Sequence, residues 1–75
     1  GSKGLEYDTV FIIRANEGSI PHKKATHVNE IEEERRLFYV AMTRAKRKLI
    51  ITYINKKGGK KMITSRFVDE LFIAK

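Results

Sequence analysis

Cysteine is absent from this chain, and His22 and His27 are its only imidazoles. Without thiols there is neither a disulfide framework nor a thiolate metal site, and two histidines alone cannot complete a structural zinc shell. Proline occurs once and tryptophan not at all. No apolar run approaches the roughly 20 residues that a membrane-spanning helix needs, and the amino terminus lacks the layout of a signal peptide. The expectation is a soluble, cytoplasmic chain with no membrane partner. What the sequence has in excess is positive charge. Sixteen Lys and Arg stand against nine Asp and Glu, a net charge of +7 in 75 residues, which points to a polyanionic partner. A hydrophobic content of 41% is enough for a core rather than a disordered tail. A chain this short makes one small domain and buries only about 60% of its unfolded surface, so its stability is expected to be marginal. Gly1-Ser2 matches a dipeptide often left by tag cleavage, so the first two positions are read as a cloning boundary.

The charge is unevenly spread. No acid occurs between Arg35 and Val68, a stretch that holds eleven of the sixteen cations. Just ahead of it Glu30, Glu32, Glu33 and Glu34 crowd together, where they suit the positive end of a helix dipole. The Lys56-Lys57-Gly58-Gly59-Lys60-Lys61 run reads as a basic turn.

Residues 9–14 (Thr-Val-Phe-Ile-Ile-Arg) are β-branched, aromatic and nearly all apolar, the pattern of a strand covered on both faces. A loop follows to about Val28. Asn29 is expected to cap a helix, with Glu32 reaching back, and the helix to run to about Lys46. Residues 49–54 read as a second buried strand, and Ser65 as the cap of a short helix with Phe67, Val68, Leu71 and Phe72 on one stripe. Two such strands joined through a helix imply a parallel pair with a right-handed crossover. Two helices cannot cover both faces and both edges of a two-stranded sheet, so the pattern is that of part of a larger α/β domain.

At about 100° per residue, Arg44 falls between Val40 and Leu37, inside the apolar arc of the long helix. A guanidinium there can snorkel to water, pair with a carboxylate, or take an external anion such as a phosphate. Arg35, Arg36, Tyr39 and Thr43 fall on the opposite side, where charge and hydroxyls meet water or a ligand.

The segment from Glu32 to Ala45, Glu-Glu-Glu-Arg-Arg-Leu-Phe-Tyr-Val-Ala-Met-Thr-Arg-Ala, closely resembles motif VI of the UvrD/PcrA/Rep family of superfamily-one DNA helicases. Residues 2–7, Ser-Lys-Gly-Leu-Glu-Tyr, resemble the second half of that family's motif V. Glu17-Gly18-Ser19-Ile20-Pro21 is similar to the Glu-Gly-x-x-Pro turn between the motifs, and Ser65-Arg66-Phe67 to a segment near the end of the second motor domain. The resemblance covers essentially the whole chain. It implies a partial RecA-like P-loop NTPase fold and an ATP-dependent 3′-to-5′ DNA helicase as the whole protein.

Carried over residue by residue, the resemblance makes Arg44 the arginine that touches the γ-phosphate and Glu6 the carboxylate that accepts from the ribose hydroxyls. Lys3 and Gly4 match the pair where a loop approaches nucleotide and single strand. ATP with Mg2+ is the implied cofactor, the metal being held by the first RecA-like domain of the same protein. Single-stranded DNA and duplex junctions are the implied partners. The motif V histidine, the phosphate-loop lysine, the magnesium ligand and the catalytic carboxylate have no counterpart in these residues, so this piece alone is expected to be inactive.

Lys56, Lys57, Lys60 and Lys61 are candidates for gripping a DNA backbone, although such lysines also keep a turn soluble. No metal ligands are assigned; His22 and His27 are expected to be exposed loop residues. Tyr7, Tyr39 and Tyr53 read as packing residues, and Ser19 as a turn residue. The competing functional readings are a stand-alone basic nucleic-acid-binding module and an inactive helicase-like interaction domain.

Overall fold

The structure, a computed structural model, describes residues 5–73. Its elements in chain order are β1 (Tyr7–Ile12), α1 (Val28–Thr43), β2 (Ala45–Ile51), β3 (Lys56–Lys57), β4 (Lys60–Lys61) and α2 (Arg66–Ile73). The expected strand, helix, strand, helix order is present, with a small hairpin inserted before the last helix. β1 and β2 pair in parallel, with Val10 beside Leu49, Phe11 beside Ile50 and Ile12 beside Ile51. α1 makes the crossover. The result is a small α/β unit of the kind found within a RecA-like domain.

The element boundaries differ from the sequence reading for local reasons. β1 starts at Tyr7 because the Tyr7 N–H donates to the carbonyl of Arg44 at 2.7 Å. It stops before Arg14, which takes a φ of 55°, a left-handed backbone uncommon for any residue but glycine. α1 begins two residues earlier than expected, with His27 rather than Asn29 as its cap residue. Glu30, not Glu32, reaches back, and its Oε1 accepts the N–H of Thr26 at 3.1 Å and of His27 at 3.0 Å. These backbone donors, that of His27 foremost, hold the Glu30 carboxyl below its ordinary range.

α1 ends at Thr43, whose hydroxyl donates to the Val40 carbonyl at 2.8 Å. Lys46, Arg47 and Lys48 belong to the following strand and are exposed. Their helix propensity is overridden by pairing with β1, which claims the backbone from Ala45 onward. Ser65 caps α2 as expected, its buried hydroxyl accepting the Phe67 N–H at 3.2 Å.

The core lies on one side of the sheet. Ile12, Ala15, Phe38, Phe67 and Val68 are buried, with Val10, Leu49 and Ile51 from the strands and Ile31, Ala41, Met42 and Leu71 from the helices packed around them. The rings of Phe38 and Phe67 lie 5.5 Å apart and tie α1 to α2. Coverage of both faces, expected from the strand composition, is not found among the described residues. Phe11 and Ile13, alternate with the core positions, are 62% and 68% exposed, because both helices contribute to the same core and leave the other face open. Tyr39 packs against the core, whereas Tyr7 and Tyr53 remain about half exposed, which corrects the packing role expected of them. Among the described residues no helix is long and apolar enough to cross a membrane.

Candidate functional site

α1 delivers Arg44 to the corner where the helix turns into β2, and β1 begins at the same corner. Arg44 is the residue that closes the helix, its N–H donating to the Ala41 carbonyl at 3.2 Å. Its Nη1 donates to the Leu5 carbonyl at 3.2 Å, while its own carbonyl receives the Tyr7 N–H. Glu6 lies between those two bonded residues and is exposed. Arg44 and Glu6, 38 positions apart in sequence, are thereby brought to one corner through the main chain on either side of Glu6. Lys3 and Gly4 lie outside the described residues.

The expected surroundings of Arg44 require correction. Leu37 and Val40, its neighbours on the helical wheel, are 56% and 39% exposed, and the core side of α1 is instead Ile31, Phe38, Ala41 and Met42. The apolar arc is wider than the surface the sheet covers, so its Leu37 edge faces outward. Arg44 sits half-buried at the helix C-terminus, where positive charge suits the dipole.

The opposite face of α1 also differs. Arg35 is not simply solvated: its Nε and Nη2 donate to the two carboxylate oxygens of Glu70 at 2.9 and 2.8 Å, and it also pairs with Glu32. The guanidinium lies 5.3 Å from the centre of the Phe67 ring. Hydrogen bonding from Arg35 holds the Glu70 carboxyl below its ordinary range, and Arg35 is correspondingly pushed up. This fork joins α1 to α2. An open groove of about 590 Å³ runs along this side of α1, lined by Asn29, Glu32, Arg36, Tyr39 and Thr43 among others; Arg44 does not line it.

The Glu-Gly-x-x-Pro turn and the Ser-Arg-Phe segment prove to be partners. Glu17 accepts the Arg66 backbone N–H at 2.7 Å and the Arg66 guanidinium at 2.7 Å, and these bonds hold its carboxyl low. Opposite charges in a turn and at a distant helix start were the available signal. Asn16 carried none, being a polar residue in an apparent loop, yet it is completely buried, and its side chain bonds the backbone of Ile54 and Ile63.

Lys56, Lys57, Lys60 and Lys61 are all exposed on the β3–β4 hairpin. The register sets Lys56 opposite Lys61 and Lys57 opposite Lys60. Gly58 and Gly59, with φ of 58° and 80°, supply the two left-handed positions of a tight two-residue loop. The hairpin and the Arg44 corner are separate places on the fold. His22 and His27 are exposed, as expected; His22 donates its backbone N–H to Glu34 Oε1 at 2.9 Å and accepts the Lys24 N–H on Nδ1 at 3.1 Å.

A parallel β–α–β unit with an arginine at its helix-to-strand corner is a piece of a RecA-like α/β domain. Residues 1–56 match the family model described as the UvrD-like helicase C-terminal domain. The chain belongs to this family. It is similar to a protein named ATP-dependent DNA helicase Rep from Buchnera aphidicola subsp. Schizaphis graminum, at 51% identity over 93% of this chain and 11% of that protein. It is also 47% identical to the putative ATP-dependent DNA helicase YjcD of Bacillus subtilis, over 93% of this chain and 10% of that protein. With the Rep helicase of Escherichia coli it shares 41% identity over 75% of this chain and 8% of that protein. The chain spans about a tenth of the length of these relatives.

Proposed function

We propose that this chain is the carboxy-terminal part of the second motor domain of an ATP-dependent DNA helicase that moves 3′ to 5′ on single-stranded DNA in the cytoplasm. The observation that carries the reading is the joining of Arg44 to residues 5–7, so that a guanidinium and the Glu6 carboxylate share one corner. That pair fits a nucleotide chemically. A planar, permanently charged donor suits phosphate oxygens, and a carboxylate suits a pair of ribose hydroxyls. The names of the relatives supply the activity class.

ATP with Mg2+, the metal held by the first motor domain, supplies the phosphoryl group whose transfer powers movement. On this side of the clamp, Arg44 places positive charge where negative charge develops on that group and senses its presence. Glu6 orients the sugar by accepting its hydroxyl protons. Lys3 and Gly4 extend the same contact. The exposed lysine hairpin holds phosphodiester oxygens of single strands or duplex junctions by releasing counterions. Closure of the two domains on nucleotide and their release after hydrolysis then advance the strand.

The test is DNA-stimulated ATP hydrolysis and directional strand displacement by the full-length protein that carries this chain. Activity on partial duplexes with a 3′ single-stranded tail, and none with a 5′ tail, is the expected result. Exchanging Lys56, Lys57, Lys60 and Lys61 for Ala should flatten the slope of log affinity against log salt by about 3, at roughly 0.7 per phosphate released on single strands. The exposed hairpin also favours a second reading, a basic nucleic-acid-binding module without motor function. DNA binding with no nucleotide turnover in the full-length protein would select it.

A further inference from the structure

The β3–β4 hairpin cannot hold its own orientation. Each strand is two residues long, and both cross-strand pairs set lysine opposite lysine, a repulsive arrangement. Its anchor lies at its roots. Ile54 and Ile63 each stand two positions outside the hairpin, and the Asn16 side chain binds both. Nδ2 donates to the Ile54 carbonyl at 2.8 Å and to the Ile63 carbonyl at 3.1 Å, and Oδ1 accepts the Ile54 N–H at 3.1 Å. Three bonds to two separate segments need donors and an acceptor on one planar group, which among short side chains only asparagine supplies. Aspartate would turn a negative oxygen toward two carbonyls, and leucine would leave the Ile54 carbonyl and N–H without these partners and the Ile63 carbonyl with the Glu17 N–H alone.

Asn16 is itself firmly placed. It is 0% exposed, and its carbonyl accepts the N–H groups of Ser19 and Ile20 at 3.0 and 2.9 Å. The Glu17 N–H beside it donates to the same Ile63 carbonyl at 2.9 Å. Asn16 also follows closely on β1, whose other end is bonded to Arg44. With the main-chain bonds of Ala15 and Glu17 on either side of it, this buried amide ties the roots of the lysine hairpin to the strand that begins at the candidate nucleotide corner.

We propose that Asn16 is the positioning residue of the basic hairpin, setting the angle at which its four lysines meet the DNA backbone. The proposal rests on the hairpin's DNA contact proposed above. It assigns Asn16 no contact with DNA or nucleotide.

The test is a double-mutant cycle in the full-length protein. Asn16→Asp is made alone and in the Lys56, Lys57, Lys60 and Lys61→Ala background. Affinity for fluorescent oligo(dT) and the DNA concentration giving half-maximal ATPase stimulation are read. In the lysine-bearing protein, Asn16→Asp should weaken DNA affinity about tenfold and raise half-saturation alike, with turnover at saturating DNA kept within about twofold. In the lysine-free background it should have no further effect. An equal loss in both backgrounds, or no loss in the lysine-bearing protein, overturns the role of Asn16 while leaving the hairpin's DNA contact standing. Lysine-free protein that binds DNA as tightly as the parent overturns both. Should Asn16→Asp fail to fold by circular dichroism, Gly-Gly insertions between Asn55 and Lys56 and between Lys61 and Met62 keep Asn16 and all four lysines but lift the hairpin off its anchor. Those insertions should reproduce the tenfold loss, and unchanged affinity would overturn the proposal.

Discussion

Arg44 donates from Nη1 to the carbonyl of Leu5 at 3.2 Å, so the guanidinium is tethered beside Glu6 through main chain rather than through another side chain. No side-chain exchange at position 5 removes that tether. Exchanging Arg44 for Ala removes it but keeps the Tyr7 bond to the residue-44 carbonyl. In the full-length protein, Arg44→Ala is expected to cut ATP turnover by roughly 10³-fold, the scale of a lost arginine finger, while nucleotide affinity changes far less. Arg44→Lys should recover little, because an ammonium cannot make the parallel pair of bonds. Steady-state ATPase rates beside equilibrium nucleotide binding check this, and undiminished turnover removes Arg44 from the role.

Glu6 is exposed and has hydroxyls as its proposed partners. Loss of a hydrogen bond to a charged group, about 1.5–3 kcal/mol, predicts that Glu6→Ala raises the KM for ATP by roughly tenfold or more. The same variant should treat ATP and 2′,3′-dideoxy-ATP alike, whereas the parent prefers ATP. A variant that keeps the preference would show that Glu6 does not read the sugar.

The Arg35–Glu70 fork is partly buried, with side chains 25% and 32% exposed. A double-mutant cycle with Arg35→Met and Glu70→Gln should give a coupling of about 1–2 kcal/mol, between the values of exposed and buried pairs. Methionine keeps part of the contact with Phe67, so the cycle isolates the charge. Amide exchange at the buried start of α2 reads the result locally.

Glu17 is held below its ordinary pKa of 4.5 by hydrogen bonds from Arg66, and Glu70 by those from Arg35. Each carboxylate therefore stabilises the fold fully above about pH 4.5 and loses that contribution as pH falls through its lower folded value. Protection of the Val68 and Leu71 amides should decline over that acid range. Exchanging both acids for Gln should lower protection at neutral pH and flatten the decline. A decline of unchanged steepness would assign the acid sensitivity to other groups.

The apolar runs at residues 9–14 and 49–54 were legible as strands because β-branched and aromatic residues cluster there, but their ends were not. Tyr7 and Ala45 look like loop and helix residues locally, and join strands only because they pair with each other. The likeness to motif VI singled out Arg44, and the helical wheel misplaced its surroundings, since periodicity reports which residues are apolar and not which part of the arc the sheet covers. Asn16 was invisible for a related reason: a buried amide and a loop amide have the same sequence signature.

The resemblance of the motif VI run by itself pointed to the family, and residue type and near-neighbour spacing determined the α/β class and the strand, helix, strand, helix order. Tertiary structure alone decided that Glu6 shares a corner with Arg44, that Glu17 grips Arg66, that Arg35 forks onto Glu70, and that Asn16 anchors the hairpin. Each of those pairs spans 35 or more positions, and a hydrogen bond acts over about 3 Å of space whatever the length of chain between its ends.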